Sequence, residues 1–376
     1  MMGNYILGID QSTQGTKAML FDKYGKLCCR TDLLHKQKIN EKGWVSHDPE
    51  EIYANIIQVI KNIIEKAHVD KCELIGIGIS NQRETALVWD RRSGTPLMDA
   101  VVWQCSRAAE VCEKKEIQQN AELIREHTGI NLSPYFPAAK ISWILDHIDK
   151  SREMANCGKL CCGTIDSWLI YKLTGKRIFK TDYSNAARTQ LFNIMNLKWD
   201  EEICDLFGVP LESLPDVCDS DSEFGMTDLD GYLDIPIPIH GVLGDSNGAL
   251  FGQGCLKSGM VKATYGTGSS IMMNIGSKPV LSKYGVVTSL AWRINKKTSY
   301  VLEGNINYTG AVISWLKDNL GLLASSSDSE GMARTANDGS IYLIPAFTGL
   351  GAPYWDSKAT GSILGMTRTT GKKEIV

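Results

Sequence analysis

Two aspartates and two turns rich in glycine and hydroxyl groups are the parts of this sequence with the means to move a phosphoryl group. Asp245 follows the apolar run Pro238-Ile239-His240-Gly241-Val242-Leu243 and Gly244, and the small residues Gly248-Ala249-Leu250-Phe251-Gly252 after it read as a tightly packed helix. Its carboxylate therefore sits where a strand ends and a helix begins. Further on, Met260 to Thr264 reads as a strand running into Tyr265-Gly266-Thr267-Gly268-Ser269-Ser270, whose glycines let backbone N–H groups converge while its hydroxyls add donors. Phosphoryl transfer to an alcohol needs a group that accepts the hydroxyl proton and a cradle for the phosphates. This stretch offers both, although each turn taken singly is equally an ordinary reverse turn.

The same design occurs at the start of the chain. Tyr5 to Asp10, Gln11-Ser12-Thr13-Gln14-Gly15-Thr16, and Lys17 to Asp22 read as strand, polar turn and strand. Asp10 has the chemistry to hold Mg²⁺ through water, and Ser12, Thr13 and Lys17 have that to address phosphate oxygens. Two such hairpins, each opening its own half of the chain, predict a duplicated fold with phosphates held between the halves. Gly310 opens a later helix on small residues, Gly310-Ala311-Val312, that let a nucleotide or a backbone approach.

Between the hairpins lie the elements of a substrate pocket. Leu74 to Ser80 reads as a buried strand that delivers Asn81-Gln82-Arg83-Glu84-Thr85 at its end, where ligands of α/β domains gather. Arg83 beside Glu84 offers donors and acceptors together, which suits a polyhydroxy substrate, with a solvated ion pair as the alternative. Trp103, ending the short strand Ala100-Val101-Val102, and Tyr135, ahead of a helix fitted from Ile141 onward, are candidate walls for the carbon face of a polyol. Asp48-Pro49-Glu50-Glu51 starts a scaffold helix carrying Ile52, Ile56, Ile60, Ile63 and Ile64 on one face. Gly163 to Gly175 reads as a strand end, an N-cap at Asp166 and an amphipathic helix; Asp182 to Thr189 reads as a polar loop; both are assigned to structure.

The chain has 376 residues, enough for two domains, with 43% hydrophobic and 22% charged residues. A net charge of −3 gives no general attraction to nucleic acid or acidic membranes. No segment reads as a membrane span or a signal peptide, and an odd count of 11 cysteines with adjacent pairs fits no disulfide framework. These features point to a cytoplasmic protein acting on small molecules, with self-association left open.

Taken together, the motifs resemble the FGGY family of carbohydrate kinases, with its glycerol-phosphorylating members nearest. The resemblance runs from Gly8 to the last residue and rests on Gly8-Ile9-Asp10-Gln11, Asn81 to Thr85, Val102-Trp103-Gln104, Thr181 to Ala186, Gly244-Asp245, Phe251-Gly252-Gln253, Thr264 to Gly268 and Pro345 to Asp356. A segment from Tyr135 through Lys140 and Trp143 to Asp146-His147 resembles a family signature as well. The resemblance implies an α/β protein of the duplicated ribonuclease-H-like, actin-like ATPase fold, with two domains, ATP and Mg²⁺ in a central cleft, and a boundary near residues 250 and 251. It implies Asp245 as catalytic base, Asp10 at the metal, and Ser12, Thr13, Gln14, Lys17, Gly266, Thr267 and Gly310 at the nucleotide. Arg83, Glu84, Trp103, Tyr135 and Ser246, with Asp245, are implied at the polyol.

Ser246 and Ser270 stand where glycerol-phosphorylating members usually carry Gln and an aromatic residue, and Gln14-Gly15 replaces hydroxyl residues of the first turn. A substrate somewhat larger than glycerol is the expectation that follows. Alternatives are a ketopentose kinase of the xylulokinase type, whose members usually carry Met-His in place of Arg83-Glu84, and a non-catalytic ATP-binding switch. Family members continue beyond the equivalent of Val376, so the second domain is expected to be incomplete here.

Overall fold

The computed structural model describes residues 4–266, 268–337, 339, 341–347, 349–356 and 358–376. It divides into two units, one of residues 1–254, 276–279 and 289–300, the other of residues 255–275, 280–288 and 301–376.

The first unit begins with β1 (Tyr5–Gln11), β2 (Gly15–Asp22) and β3 (Leu27–Leu34), followed by helix α1 (Pro49–Ala67) and strand β4 (Leu74–Asn81). Strands β5 (Ala86–Asp90) and β6 (Ala100–Val101), helix α2 (Pro137–His147), strand β7 (Leu160–Thr164) and helix α3 (Ile165–Leu173) come next. Strands β8 (Glu223–Thr227) and β9 (Ile237–Gly244) then lead into helix α4 (Asp245–Gly252). The main sheet has the order β8-β9-β4-β1-β2-β3. Its centre is parallel: β1 pairs with β4 through Asp10↔Ser80 and Gln11↔Asn81, and β9 pairs with β4 through Leu243↔Ser80 and Gly244↔Asn81. Three strand ends are thereby brought level, which is where an open α/β sheet holds its ligand.

Local chemistry explains these elements. Asp48 caps α1 by accepting from the amides of Glu50 at 3.0 Å and Glu51 at 3.4 Å, and Pro49 occupies the first turn, where its missing N–H costs nothing. Ile52, Ile56, Ile60 and Ile63 are fully buried on the face that packs against β2 and β3. Leu7, Ile9, Leu20, Ile77 and Ile79 supply the sheet's side of the same core.

Helix α3 departs from expectation. Its N-cap is Thr164, whose amide donates to Ser167 Oγ at 3.1 Å, and Ile165 to Tyr171 are all buried, so the helix is not amphipathic. Asp166 lies inside the first turn, accepting from Thr164 Oγ1 and Thr181 Oγ1, both at 2.6 Å. Threonine takes the cap because Asp166 has buried hydroxyl partners on both oxygens. Helix α2 likewise starts at Pro137, four residues before the periodic run from Ile141 suggested.

A further sheet comprises β10 (Val261–Tyr265), β11 (Ser269–Gly276), β12 (Val287–Ile294) and β13 (Lys297–Ile306), in the order β10-β11-β13-β12. Helix α5 (Gly310–Asp318) follows. The hairpin of β10 and β11 pairs Thr264 with Ser270 and Tyr265 with Ser269. It repeats the design of the first hairpin, in which Asp10 pairs with Lys17 and Gln11 with Thr16.

Burial pushes the Asp166 carboxyl up to about 6 from an ordinary 3.8, against the pull of its two threonine bonds. The folded chain therefore binds more protons at this group than the unfolded chain between those values, and its stability falls as pH rises through that window. Asp166→Asn removes this dependence. Its melting temperature relative to the parent is expected to improve between pH 4.5 and pH 7, measured by circular dichroism; an unchanged difference rejects the assignment.

Candidate active site

Asp10, at the end of β1, is bound by Lys17 Nζ at 2.9 Å on one carboxylate oxygen and approached by Ser80 Oγ at 3.4 Å on the other. Asp245, at the start of α4, lies 3.4 Å from Arg83 Nε. Its side chain keeps 41% of its surface open, whereas Arg83 keeps 5%. The surrounding protein withdraws water from the Asp245 carboxyl and pushes it above the ordinary carboxylate range; Arg83 opposes this, and the charges of Glu84 and Asp10 add to it. A raised carboxylate is a stronger base, the quality a proton acceptor needs.

Arg83 is held from two sides, by Asp245 and by Asn247, whose Oδ1 accepts from Arg83 Nη1 at 3.2 Å. Asn247 is itself anchored, donating to the carbonyls of Leu290 and Ala291 at 2.9 Å each. The guanidinium stem runs directly over Gly244: a Cβ there would meet Arg83 Cδ at 2.6 Å and Cγ at 2.7 Å. Any side chain at position 244 would displace the arginine that partners Asp245.

Glu84 sits at a left-handed backbone position, φ 59°, in a turn closed by Thr85 N donating to Arg83 O at 2.8 Å. Such a conformation in a non-glycine residue costs on the order of 1–3 kcal/mol and persists only where its surroundings hold it. Arg188 Nε donates to Glu84 Oε1 at 2.5 Å, with the two side chains only 1% and 3% exposed. Residues 182–189, expected above as a polar loop of structural use, instead form a short helix over Tyr183–Ala186 capped by Asp182, and just beyond it deliver the cation that holds the Glu84 carboxylate. An arginine between small residues gave no sequence signal that it would be buried.

The two aromatic candidates meet. Trp103 and Tyr135 lie with ring centroids 5.6 Å apart at 59°, and the Trp103 indole N–H donates to Thr13 Oγ1 at 2.9 Å. Thr13 was expected at the phosphates and Trp103 at the polyol; one hydrogen bond joins them. A second chain runs beneath, from the Trp103 amide to Thr85 Oγ1, from Thr85 Oγ1 to Gln82 Oε1, and from Gln82 Nε2 to Gln11 Oε1, at 3.2, 2.7 and 3.0 Å.

In the first turn, Ser12 donates both its amide and its hydroxyl to Gly15 O, at 2.8 and 2.9 Å, which shapes the turn and engages that hydroxyl. The amides of Thr13 and Gln14 have no hydrogen bond among the described residues, and the Gln14 side chain is exposed. Ser246 is half-buried, its amide donating to Asp245 Oδ1 at 2.6 Å.

The second turn differs from expectation. Gly266 N–H donates to Gly268 O, and Gly310 N–H to Gly266 O, both at 2.9 Å, so these amides close the turn on itself instead of pointing outward together. Gly268 is demanded by close approach, since a Cβ there would meet Ile306 O at 2.7 Å. Thr267 lies outside the described residues. Ser270 Oγ donates to Glu303 Oε1 at 3.2 Å, engaging one of the two hydroxyls behind the expectation of a wider pocket.

Among the described residues no cluster of three or more His, Cys, Asp or Glu side chains forms a metal cage. Mg²⁺ is commonly held by one or two carboxylates together with water and substrate phosphates. Asp10 fits that use, being one-quarter exposed and close enough to Asp245 for its charge to be felt there. No helix among the described residues is long and apolar enough to cross a membrane.

Comparison with known proteins identifies the family. Residues 5–252 match the N-terminal domain, and residues 261–376 the C-terminal domain, of the FGGY family of carbohydrate kinases. The chain is 48% identical over 373 residues to glycerol kinase 1 of Thermotoga maritima, covering 99% of this chain and 76% of that protein. It is 46% identical over 377 residues to glycerol kinase of Carboxydothermus hydrogenoformans, covering 100% of this chain and 75% of that one. The structure of Plasmodium falciparum glycerol kinase with ADP matches with a TM-score of 0.88 at 36% identity, over 100% of this chain and 75% of that one. The ligand-bound xylulose kinase of Lactobacillus acidophilus matches with 0.86 at 25% identity, over 99% and 74%. With both family domains matched and identity near one half across the whole chain, this protein belongs to the FGGY family of carbohydrate kinases, enzymes that phosphorylate an alcohol group.

Proposed function

We propose that the protein transfers the γ-phosphoryl group of ATP to a terminal hydroxyl of glycerol, with Asp245 as general base. The observation that carries this reading is the placement of Asp245 against Arg83, in a partly open position at the ends of β1, β4 and β9. In the reaction the substrate oxygen bonds to the γ-phosphorus, the bond from phosphorus to the β,γ-bridging oxygen breaks, ADP leaves, and the hydroxyl proton passes to Asp245. Arg83 orients the base; Glu84 accepts from substrate hydroxyls; Trp103 and Tyr135 flank the carbon chain and exclude water.

Thr13, Gln14 and Lys17 serve the phosphates, with Ser12 shaping their turn, and Gly266, Thr267 and Gly310 remain assigned to the nucleotide. Asp10 would hold Mg²⁺, which would supply neutralisation of phosphate charge. A non-catalytic switch has no use for an arginine held in place beside a base. Eleven cysteines without a disulfide support a reducing, cytoplasmic setting. The net charge of −3 argues for small-molecule substrates and against a nucleic acid partner, and self-association is tested by sedimentation.

Asp245→Asn keeps the shape and removes the basic oxygen. Turnover of glycerol, followed as ADP release, is expected to fall by about 10²–10⁴-fold with nucleotide affinity unchanged. Near-normal turnover rejects Asp245 as base. In the parent enzyme, kcat/KM is expected to fall on acidification with a midpoint above 3.8, because the protonated form of a raised carboxyl cannot accept the proton.

Thr13→Val deletes the acceptor for the Trp103 indole, so the lesion reaches both ends of the bond. KM is expected to rise about tenfold for glycerol as well as for ATP, the cost of leaving one donor unmatched. A change confined to ATP denies the link. Running the same initial-rate assay with four- and five-carbon polyols decides the substrate's length. A higher kcat/KM for one of these than for glycerol replaces glycerol as the substrate.

A further inference from the structure

Lys140 stands in the first turns of α2, with none of its surface exposed. The position is doubly unfavourable for a cation, since burial strips its water and the amino end of a helix carries partial positive charge. The loss of water draws its ammonium down to about 7, with the nearby Glu84 carboxylate opposing, Cys105 and Cys112 acting as Glu84 does, and Arg107 adding to the fall. A methionine would fill the same space without these penalties. What the lysine supplies in its protonated form, which its three carbonyl acceptors favour, is three donors on one atom. Its Nζ donates to Glu84 O at 3.1 Å, to Trp103 O at 3.2 Å and to Tyr135 O.

Those three carbonyls belong to three of the residues assigned to the polyol, and they come from three separate stretches of chain: the turn after β4, the turn after β6 and the approach to α2. Each stretch is irregular at that point, and Glu84 is in a left-handed conformation. The sheet ladder pairs Ala86 with Val101, two residues from Glu84 and from Trp103, but no ladder bond ties all three carbonyls together. One tetrahedral ammonium does, because its N–H directions are fixed relative to each other and each is matched to one carbonyl.

We propose that Lys140 is the positioning residue of the polyol pocket, holding the backbones of Glu84, Trp103 and Tyr135 at fixed spacing and so setting the geometry in which their side chains meet the substrate. The proposal rests on the polyol reading of that pocket. It makes Lys140 a determinant of affinity and orientation for the alcohol and not for the nucleotide. Small displacements of a positioned substrate lower turnover strongly, so both KM and kcat register the loss.

The test uses the full chain as Lys140→Met, which removes every donor, and Lys140→Gln, which keeps donors for some of the carbonyls and retains a polar side chain should the methionine variant not fold. Folded protein is established by thermal unfolding, ADP affinity by calorimetry, and kinetics with glycerol and MgATP. Expected are a KM for glycerol raised about tenfold or more in Lys140→Met, a smaller rise in Lys140→Gln, lower kcat in both, and ADP affinity within about twofold of the parent. A purely structural lysine predicts lower melting temperature and a smaller active fraction with KM for glycerol unchanged, and that result overturns the proposal. A parallel loss of glycerol and ADP affinity overturns it too. Absence of glycerol turnover in the parent is a separate failure, that of the polyol reading itself, and is seen before any variant is compared.

Discussion

The register of three parallel strands is the constraint on which the site depends. Asp10, Ser80 and Leu243 share one row across β1, β4 and β9, and Gln11, Asn81 and Gly244 share the next. The chain leaves the sheet from that second row in three directions, to the turn Ser12-Thr13-Gln14, to Gln82-Arg83-Glu84, and to Asp245. Side chains alternate across a sheet, so a slip of one residue in β9 would send Asp245 away from Arg83 and Leu243 out of register with its neighbours. The core enforces the register from below, since Ile9, Ile77 and Val242 are each almost wholly buried.

A polar network secures the same strand ends from the side. Asp182, fully buried, accepts from the amide and hydroxyl of Ser184, from the amide and side chain of Asn185, and from Ser220 Oγ, at 2.7 to 2.9 Å. Ser184 Oγ in turn accepts from Gly244 N at 3.0 Å, and Asn185 and Asn81 exchange hydrogen bonds at 2.9 and 3.0 Å. Burial pushes the Asp182 carboxyl upward, and these donors oppose it. A buried carboxylate so densely matched is rigid, and each donor left unmatched costs about 1–3 kcal/mol. The segment therefore fixes where β4 and β9 end, the points from which Arg83 and Asp245 project.

The stretch around Trp103 and the first turn are joined by hydrogen bonds. The Trp103 indole reaches Thr13 directly, and Thr85 and Gln82 make a parallel connection to Gln11. The aromatic wall and the first turn each supply one partner of the hydrogen bond that joins them. This arrangement suits an enzyme that must bring an alcohol and a phosphoryl group into line before any proton moves.

Much of this was legible in the sequence. The hairpins, the strand of Leu74 to Ser80, the cap at Asp48 and the strand-to-helix junction at Asp245 follow from local patterns of apolar, turn and capping residues, which act over a few positions. The family motifs add the fold and the class of reaction. Only the tertiary structure decided that Arg188 holds Glu84, 104 residues away, that Asp166 lies within its helix with Thr164 as the cap, and that the amides of Gly266 and Gly310 close their own turn. It alone shows that Gly244 is required by the stem of Arg83. The physical reason is the same in each case. Local periodicity records which face of an element is buried, whereas the partner of a buried charge or a close-packed glycine is set by whichever distant stretch of chain the fold brings against it.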